Sequence, residues 1–180
     1  CETVRDMDVV IEFRDVVAGY GSHKVLDGLT LSVPGQGVVG IVGPDGAGKT
    51  TFARVCLGLV APWAGSVSVL GLEPGDGRLK ERVGYLPQQL QVLGHLTVAE
   101  NLEYFAALSE LPRRKAAERS EALLQATGLA QFRTRLAERL SGGMRQKLAL
   151  SCAIIHEPEL VLLDEPSTGL DPISRRDMWA

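Results

Sequence analysis

The stretch Gly43-Pro44-Asp45-Gly46-Ala47-Gly48-Lys49-Thr50 constrains the fold of this chain more than any other. It fits the spacing G-x-x-x-x-G-K-[ST], in which glycines let successive backbone N–H groups turn inward around phosphate oxygens. Such a loop needs a strand to deliver the chain and a helix whose N-terminus adds the positive end of its dipole. Both flanks are present in the pattern. Val38-Val39-Gly40-Ile41-Val42 predicts a short strand buried on both faces, and Thr50 to about Leu59 predicts a helix. In this frame Lys49 reaches the β and γ phosphates of a nucleotide, the Thr50 hydroxyl ligates Mg²⁺, and Thr51 supports the α phosphate.

The rest of the chain supplies what such a loop requires. Val9 to Phe13 and Val25 to Val33 read as strands broken by the turn Gly19-Tyr20-Gly21-Ser22, and strand character resumes from Ser66 to Leu70 after Pro62 and Gly65. From Thr97 to about Ala126 the periodicity is helical, with Val98, Leu102, Phe105 and Ala106 at three- and four-residue steps, and Thr97 and Glu100 spaced as a capping box. A second long helix is expected from Gly142 to Ile155, and then a buried strand, Leu160-Val161-Leu162-Leu163, that ends at Asp164. Alternating buried strands and helices predict an α/β core with a parallel sheet. At the end of the last strand Asp164 is placed to hold the Mg²⁺ shell, and Glu165 to act as general base on an attacking water.

Composition narrows the partners. A formal net charge of -3, with 23% charged residues, gives no global pull toward nucleic acid or an anionic surface. Arg113, Arg114, Lys115 and Arg119 are interleaved with Glu118 and Glu121, the pattern of a solvated helix face. The three cysteines show no C-x-x-C pair, and Cys56 and Cys152 sit among apolar neighbours as small core residues. Trp63 is expected to pack a turn. No apolar run approaches the roughly 18 to 20 residues that cross a bilayer. The chain begins Cys1-Glu2-Thr3, and we expect it to be a fragment of a longer polypeptide.

Leu140-Ser141-Gly142-Gly143-Met144-Arg145-Gln146, at the start of a predicted helix, resembles the L-S-G-G-Q signature of ATP-binding cassette (ABC) ATPases. In that family the serine and glycines face the γ phosphate held by the opposite subunit's loop, so two half-sites meet around each ATP. Met144 stands where the family usually has Gln, and Asp45 where many members have Asn. Three further strings fall in the family's order. Tyr20 resembles the aromatic residue that stacks on adenine. Gln88 resembles the glutamine that reaches Mg²⁺ and the attacking water, with Gln89 as an alternative. Ser167-Thr168-Gly169-Leu170-Asp171 resembles the loop that crosses the dimer interface.

The resemblance runs from Val9 to Trp179 and implies the P-loop ABC ATPase fold: a small N-terminal antiparallel β layer, a mostly parallel core sheet and a helical insertion. It implies one incomplete nucleotide-binding domain over 1–180. The β layer and P-loop core would occupy 9–96, the helical subdomain with the signature 97–155, and the Asp164 strand with the Asp171 loop 156–180. His23, His95 and His156 all precede Asp164, and none matches the family's switch histidine, so these residues alone are expected to hydrolyse ATP weakly and to leave a sheet edge unfinished. Within the family the chain is most similar to the ATP-binding subunits of bacterial ABC-2-type, multidrug-type exporters, including chains that carry two cassettes. That similarity implies ATP and Mg²⁺ as ligands, a second cassette and integral membrane permease subunits as partners, and a place on the cytoplasmic face of the membrane, with no nucleic acid. The segment Leu90 to Leu96 is either a docking patch for such a permease or core. The alternative is a soluble ABC ATPase acting on ribosomes or DNA.

Overall fold

In the computed structural model, which describes residues 9–89 and 92–166, the chain opens with a long antiparallel hairpin. Strand β1 (Val9–Tyr20) turns through Gly21 and Ser22 into β2 (His23–Pro34), and β3 (Ala64–Val69) adds antiparallel to the other edge of β1. Gly21, at φ 57, takes the first position of the two-residue loop, where hairpin twist favours glycine.

The buried residues of β1 change parity partway along. Ile11 and Phe13 face the core, and so do Val16 and Ala18. A regular strand would send the second pair to solvent, because side chains alternate with a period of two. Register shifts around residues 13 to 16, with Asp15 in a left-handed conformation (φ 50), insert the extra residue that restores the face. Thr30 Oγ1 accepts the Asp15 amide at 2.9 Å, so the bulge does not leave that donor unpaired.

Helix α1 (Lys49–Cys56) packs on this sheet, with Phe52 stacked on Phe13 at 4.7 Å between ring centroids and Val55 and Cys56 buried beside them. The segment 38–42, predicted to be a strand buried on both faces, is not one here. Val38 and Val42 are 94% and 96% exposed, and no described residue pairs with this run in a ladder. A strand needs hydrogen-bonding neighbours, and apolar content alone cannot supply them.

The described chain forms two compact units that divide between Lys80 and Glu81. After the short helix α2 (Leu79–Arg82), the second unit pairs β4 (Val83–Leu86) in parallel with β5 (Leu160–Leu163). Three helices follow between those strands in sequence: α3 (Val98–Leu108), α4 (Arg113–Ala126) and α5 (Gly142–Ile154). The long helical segment expected from Thr97 to Ala126 breaks at Leu111-Pro112, because proline disfavours a helical residue before it and lacks an N–H to continue the ladder.

Val98, Leu102, Ala106, Leu123, Leu124, Leu129, Leu148 and Cys152 build one apolar cluster joining the three helices. The capping box at Thr97 and Glu100 is present. Buried Asn101 bonds the backbone of Leu93, Leu96 and Thr97, pinning the segment before α3. Val92 packs against the helical cluster, so this part of the 90–96 segment is core, while Leu90 lies outside the described residues.

Helix α5 lies directly on β4 at Gly84, where a Cβ would come within 2.5 Å of the Ala153 carbonyl oxygen. Strand β5 was expected to be buried throughout, but it alternates, with Val161 and Leu163 exposed. Among the described residues it has one ladder partner, β4. Three basic residues of α4 are ion-paired, Arg114 with Glu118, and Lys115 and Arg119 both with Glu157.

Candidate functional site

In the first unit the glycine-rich loop ends on α1 as its spacing requires. Gly48 caps the helix at φ 91, a conformation that costs other residues strain, and a Cβ there would also lie 2.9 Å from Leu26 Cδ2. Glycine therefore answers both backbone geometry and close packing. It carries no side chain to bond the first-turn amides, and no acidic residue occupies that turn. This is the arrangement in which a helix N-terminus favours an anion.

Lys49 Nζ donates to the carbonyl oxygens of Gly43 and Pro44 at 2.9 and 3.0 Å, so the ammonium lies across the loop it belongs to. Within the loop the Ala47 amide bonds back to the Pro44 carbonyl, Gly46 adopts φ 80, and Asp45 is exposed. Thr50 is half-buried. Thr51 is buried. Tyr20 ends β1 with 42% of its surface exposed and accepts a hydrogen bond from Arg54 Nη1 at 3.1 Å. Burial alone would raise the Tyr20 pKa, but the hydrogen bonds from Thr51 and Arg54 and the guanidinium charge together hold it below the usual phenol range.

In the second unit the parallel register aligns Leu86 with Leu163, and the ladder continues as the Asp164 amide donates to the Leu86 carbonyl at 2.9 Å. Two residues beyond that pair, Gln88 Nε2 donates to Glu165 Oε2 at 3.1 Å. Gln88, and not its neighbour Gln89, is the glutamine that makes this bond. Asp164 is 5% exposed. Glu165 has φ 50, an uncommon conformation for a residue with a side chain.

Ser141 caps α5, its Oγ accepting the Met144 amide at 3.2 Å, and Gly142 and Gly143 form the first turn. A Cβ on Gly142 would meet nothing within 4 Å, so this end of the helix is open. Met144 packs its side chain against the helical cluster, which gives the unusual residue an apolar role. Arg145 Nη1 donates to the Leu140 carbonyl at 3.2 Å and fixes the turn ahead of the cap.

The structure adds two residues that sequence reasoning had not singled out. Arg54 ties Tyr20 to α1, and Gln146, 5% exposed, donates to the Pro166 carbonyl just after Glu165. No local pattern flags either one, because each acts on a partner distant in sequence. Asp171 and the string around it lie outside the described residues.

The family model described as ABC transporter matches residues 26–168. The chain is 48% identical over 144 residues to the probable multidrug ABC transporter ATP-binding protein YbhF of Escherichia coli (strain K12), covering 79% of this chain and 25% of that protein. It is 41% identical to the daunorubicin resistance ATP-binding protein DrrA3 of Streptomyces coeruleorubidus over 96% of this chain and 55% of that one. It is 39% identical to Nod factor export ATP-binding protein I of Sinorhizobium fredii (strain NBRC 101917 / NGR234), over 96% of this chain and 51% of that one. The chain thus spans between a quarter and about half the length of these curated relatives. A solved structure of an ATP binding subunit of an ABC transporter superposes with a TM-score of 0.81 at 31% identity, covering 94% of this chain and 71% of that chain. With the glycine-rich loop capping α1, the signature string capping α5 and the family model spanning both, the chain belongs to the ABC transporter family and carries its P-loop ATP-binding fold.

Proposed function

We propose that this chain binds and hydrolyses ATP to power an ABC transporter, an exporter of the ABC-2 type, through ATP-driven pairing of two cassettes. The observation that carries the proposal is the hydrogen bond between Gln88 and Glu165 beside buried Asp164. A carboxylate at a strand end, held by an amide, is the arrangement that orients an attacking water and takes its proton.

The remaining roles follow from the side chains. Lys49 neutralises β and γ phosphate charge, and the amides of Gly43 to Thr51, other than that of Ala47, which bonds the Pro44 carbonyl, cradle the phosphates (Pro44 has none). Tyr20 stacks on the base. Ser141, Gly142 and Gly143, with Asp171, serve the partner cassette's nucleotide. Thr50 and Asp164 offer hard oxygen donors, and Gln88 offers an amide oxygen, a set suited to Mg²⁺. Bound there, Mg²⁺ would offset charge on the phosphate oxygens. Glu165 accepts the water's proton.

Relatives named for multidrug transport, daunorubicin resistance and Nod factor export favour a transporter over a soluble ATPase acting on ribosomes or DNA. No helix among the described residues is long and apolar enough to cross a membrane. Contact with the bilayer is proposed to pass through permease subunits on its cytoplasmic face.

The test uses the full-length protein with its membrane subunits. Glu165→Gln should retain ATP binding and lose turnover by about a hundredfold or more, the contribution of a general base. Lys49→Ala should weaken ATP binding itself by about tenfold or more. Native turnover in Glu165→Gln would overturn the assignment of the base.

A further inference from the structure

Tyr20 sits at the end of a strand, beside a two-residue turn, with much of its ring in solvent. Its hydroxyl is held from α1. Arg54 Nη1 donates to it at 3.1 Å, and the guanidinium carbon lies 6.0 Å from the ring centroid.

That helix begins at Lys49, directly after the loop that ends in Gly48. Arg54 is exposed, so its place is not explained by core packing. A planar guanidinium can donate to an oxygen while keeping its face toward a ring, which an ammonium cannot do in the same way.

We propose that Arg54 is a positioning residue for nucleotide binding: it locks the Tyr20 ring to helix α1, so that the stacking surface for the base stands at a fixed distance from the loop that holds the phosphates. The base then meets a platform already ordered, and binding does not have to immobilise a mobile tyrosine. This inference rests on the reading of Tyr20 as the residue that stacks on the base. The Arg54 contact is expected to act on nucleotides and to leave phosphate capture unaffected, because it bears on the tyrosine that meets the base.

The experiment compares affinity for Mg-ATP with affinity for Mg-tripolyphosphate, which has no base, in the full-length protein. Tyr20→Ala should weaken ATP about tenfold through lost stacking and leave tripolyphosphate unchanged. Tyr20→Phe, which keeps the ring and removes the hydroxyl, and Arg54→Gln should each weaken ATP about threefold, again with tripolyphosphate unchanged. Combined, they should weaken ATP no more than either alone, because both break one contact. Arg54→Lys should restore part of the loss.

If Tyr20→Ala binds ATP as the native protein does, the stacking reading fails and the clamp fails with it. If Tyr20→Ala is weak but Arg54→Gln and Tyr20→Phe are native-like, or their losses add, stacking survives and the role of Arg54 is overturned. Equal losses for ATP and tripolyphosphate in Arg54→Gln would overturn it as well, by showing that the charge acts on phosphate.

Discussion

Gln88 and Glu165 lie 77 positions apart in sequence and 3.1 Å apart through one hydrogen bond, and the strand register explains the distance. Strands β4 and β5 pair in parallel with Val83 opposite Leu160 and Leu86 opposite Leu163, so continuing the same offset brings residue 88 opposite residue 165. At the other end of the pair the same offset joins Arg82 to Glu159 through two contacts, at 2.7 and 2.9 Å. The register is thus marked by a polar pair at each end, and one of those pairs contains the proposed base.

Removing the amide should separate binding from chemistry. Gln88→Ala is expected to lower ATP turnover about tenfold or more and to weaken ATP affinity by less than that, because the amide holds the carboxylate and supplies only one of the proposed Mg²⁺ contacts. Gln88→Glu would set a second carboxylate against Glu165. Like charges at that distance raise a carboxylate pKa, so the acid limb of the rate–pH profile should move to higher pH. Steady-state kinetics across pH on the transporter would check both, and an unmoved limb would count against contact between the two side chains.

Gln146 holds the backbone just beyond the base. Its amide is buried and donates to the Pro166 carbonyl, next to the left-handed Glu165. Gln146→Leu leaves that carbonyl without this donor and is expected to cost about 1–3 kcal/mol in stability. Turnover should fall more than ATP affinity, since Glu165 loses its anchor. Denaturant unfolding and single-turnover kinetics measure the two effects separately.

The start of α3 offers a simpler test. Thr97→Ala removes the side-chain acceptor for the Glu100 amide, bonded at 3.2 Å, and should destabilise the protein by about 1 kcal/mol. The Glu100 carboxyl is held below the usual carboxylate range by its bonds to Thr97, the backbone bond foremost. A depressed folded pKa stabilises above the ordinary value, and the benefit is lost as pH falls through the folded one. The stability difference between native protein and Glu100→Gln should therefore shrink on acidification, as thermal melts at a series of pH values would show.

Burial pushes the thiols of Cys56 and Cys152 up to about 12. Both should resist alkylation at pH 8 in the folded protein and react on unfolding, because the thiolate is the nucleophile. The sign of the pH effect is opposite to that of Glu100. A raised folded pKa leaves its stability intact below the unfolded value near 9.0 and loses it as pH rises toward 12. Mass-resolved alkylation with and without denaturant gives the readout, and prompt labelling of Cys152 in the native state would contradict its burial.

Short-range chemistry was legible in the residue order. The glycine loop, its helix, the Thr97 and Glu100 box, the Ser141 cap and the β1–β2 hairpin each depend on backbone conformations and contacts within a few residues, which local identity dictates. Tertiary structure decided the rest, because the partners are brought together by strand register and helix faces across separations that no local pattern spans. Arg54 finds Tyr20 across 34 positions, Gln146 finds Pro166 across 20, and Gln88, with Gln89 beside it, is the one that reaches Glu165 across 77. Met144 turns to the helical core where a polar contact was the family's habit. The run from Val38 to Val42 marks the limit from the other side: its composition is that of a buried strand, but a strand exists only where a neighbour takes its hydrogen bonds, and no described residue does so.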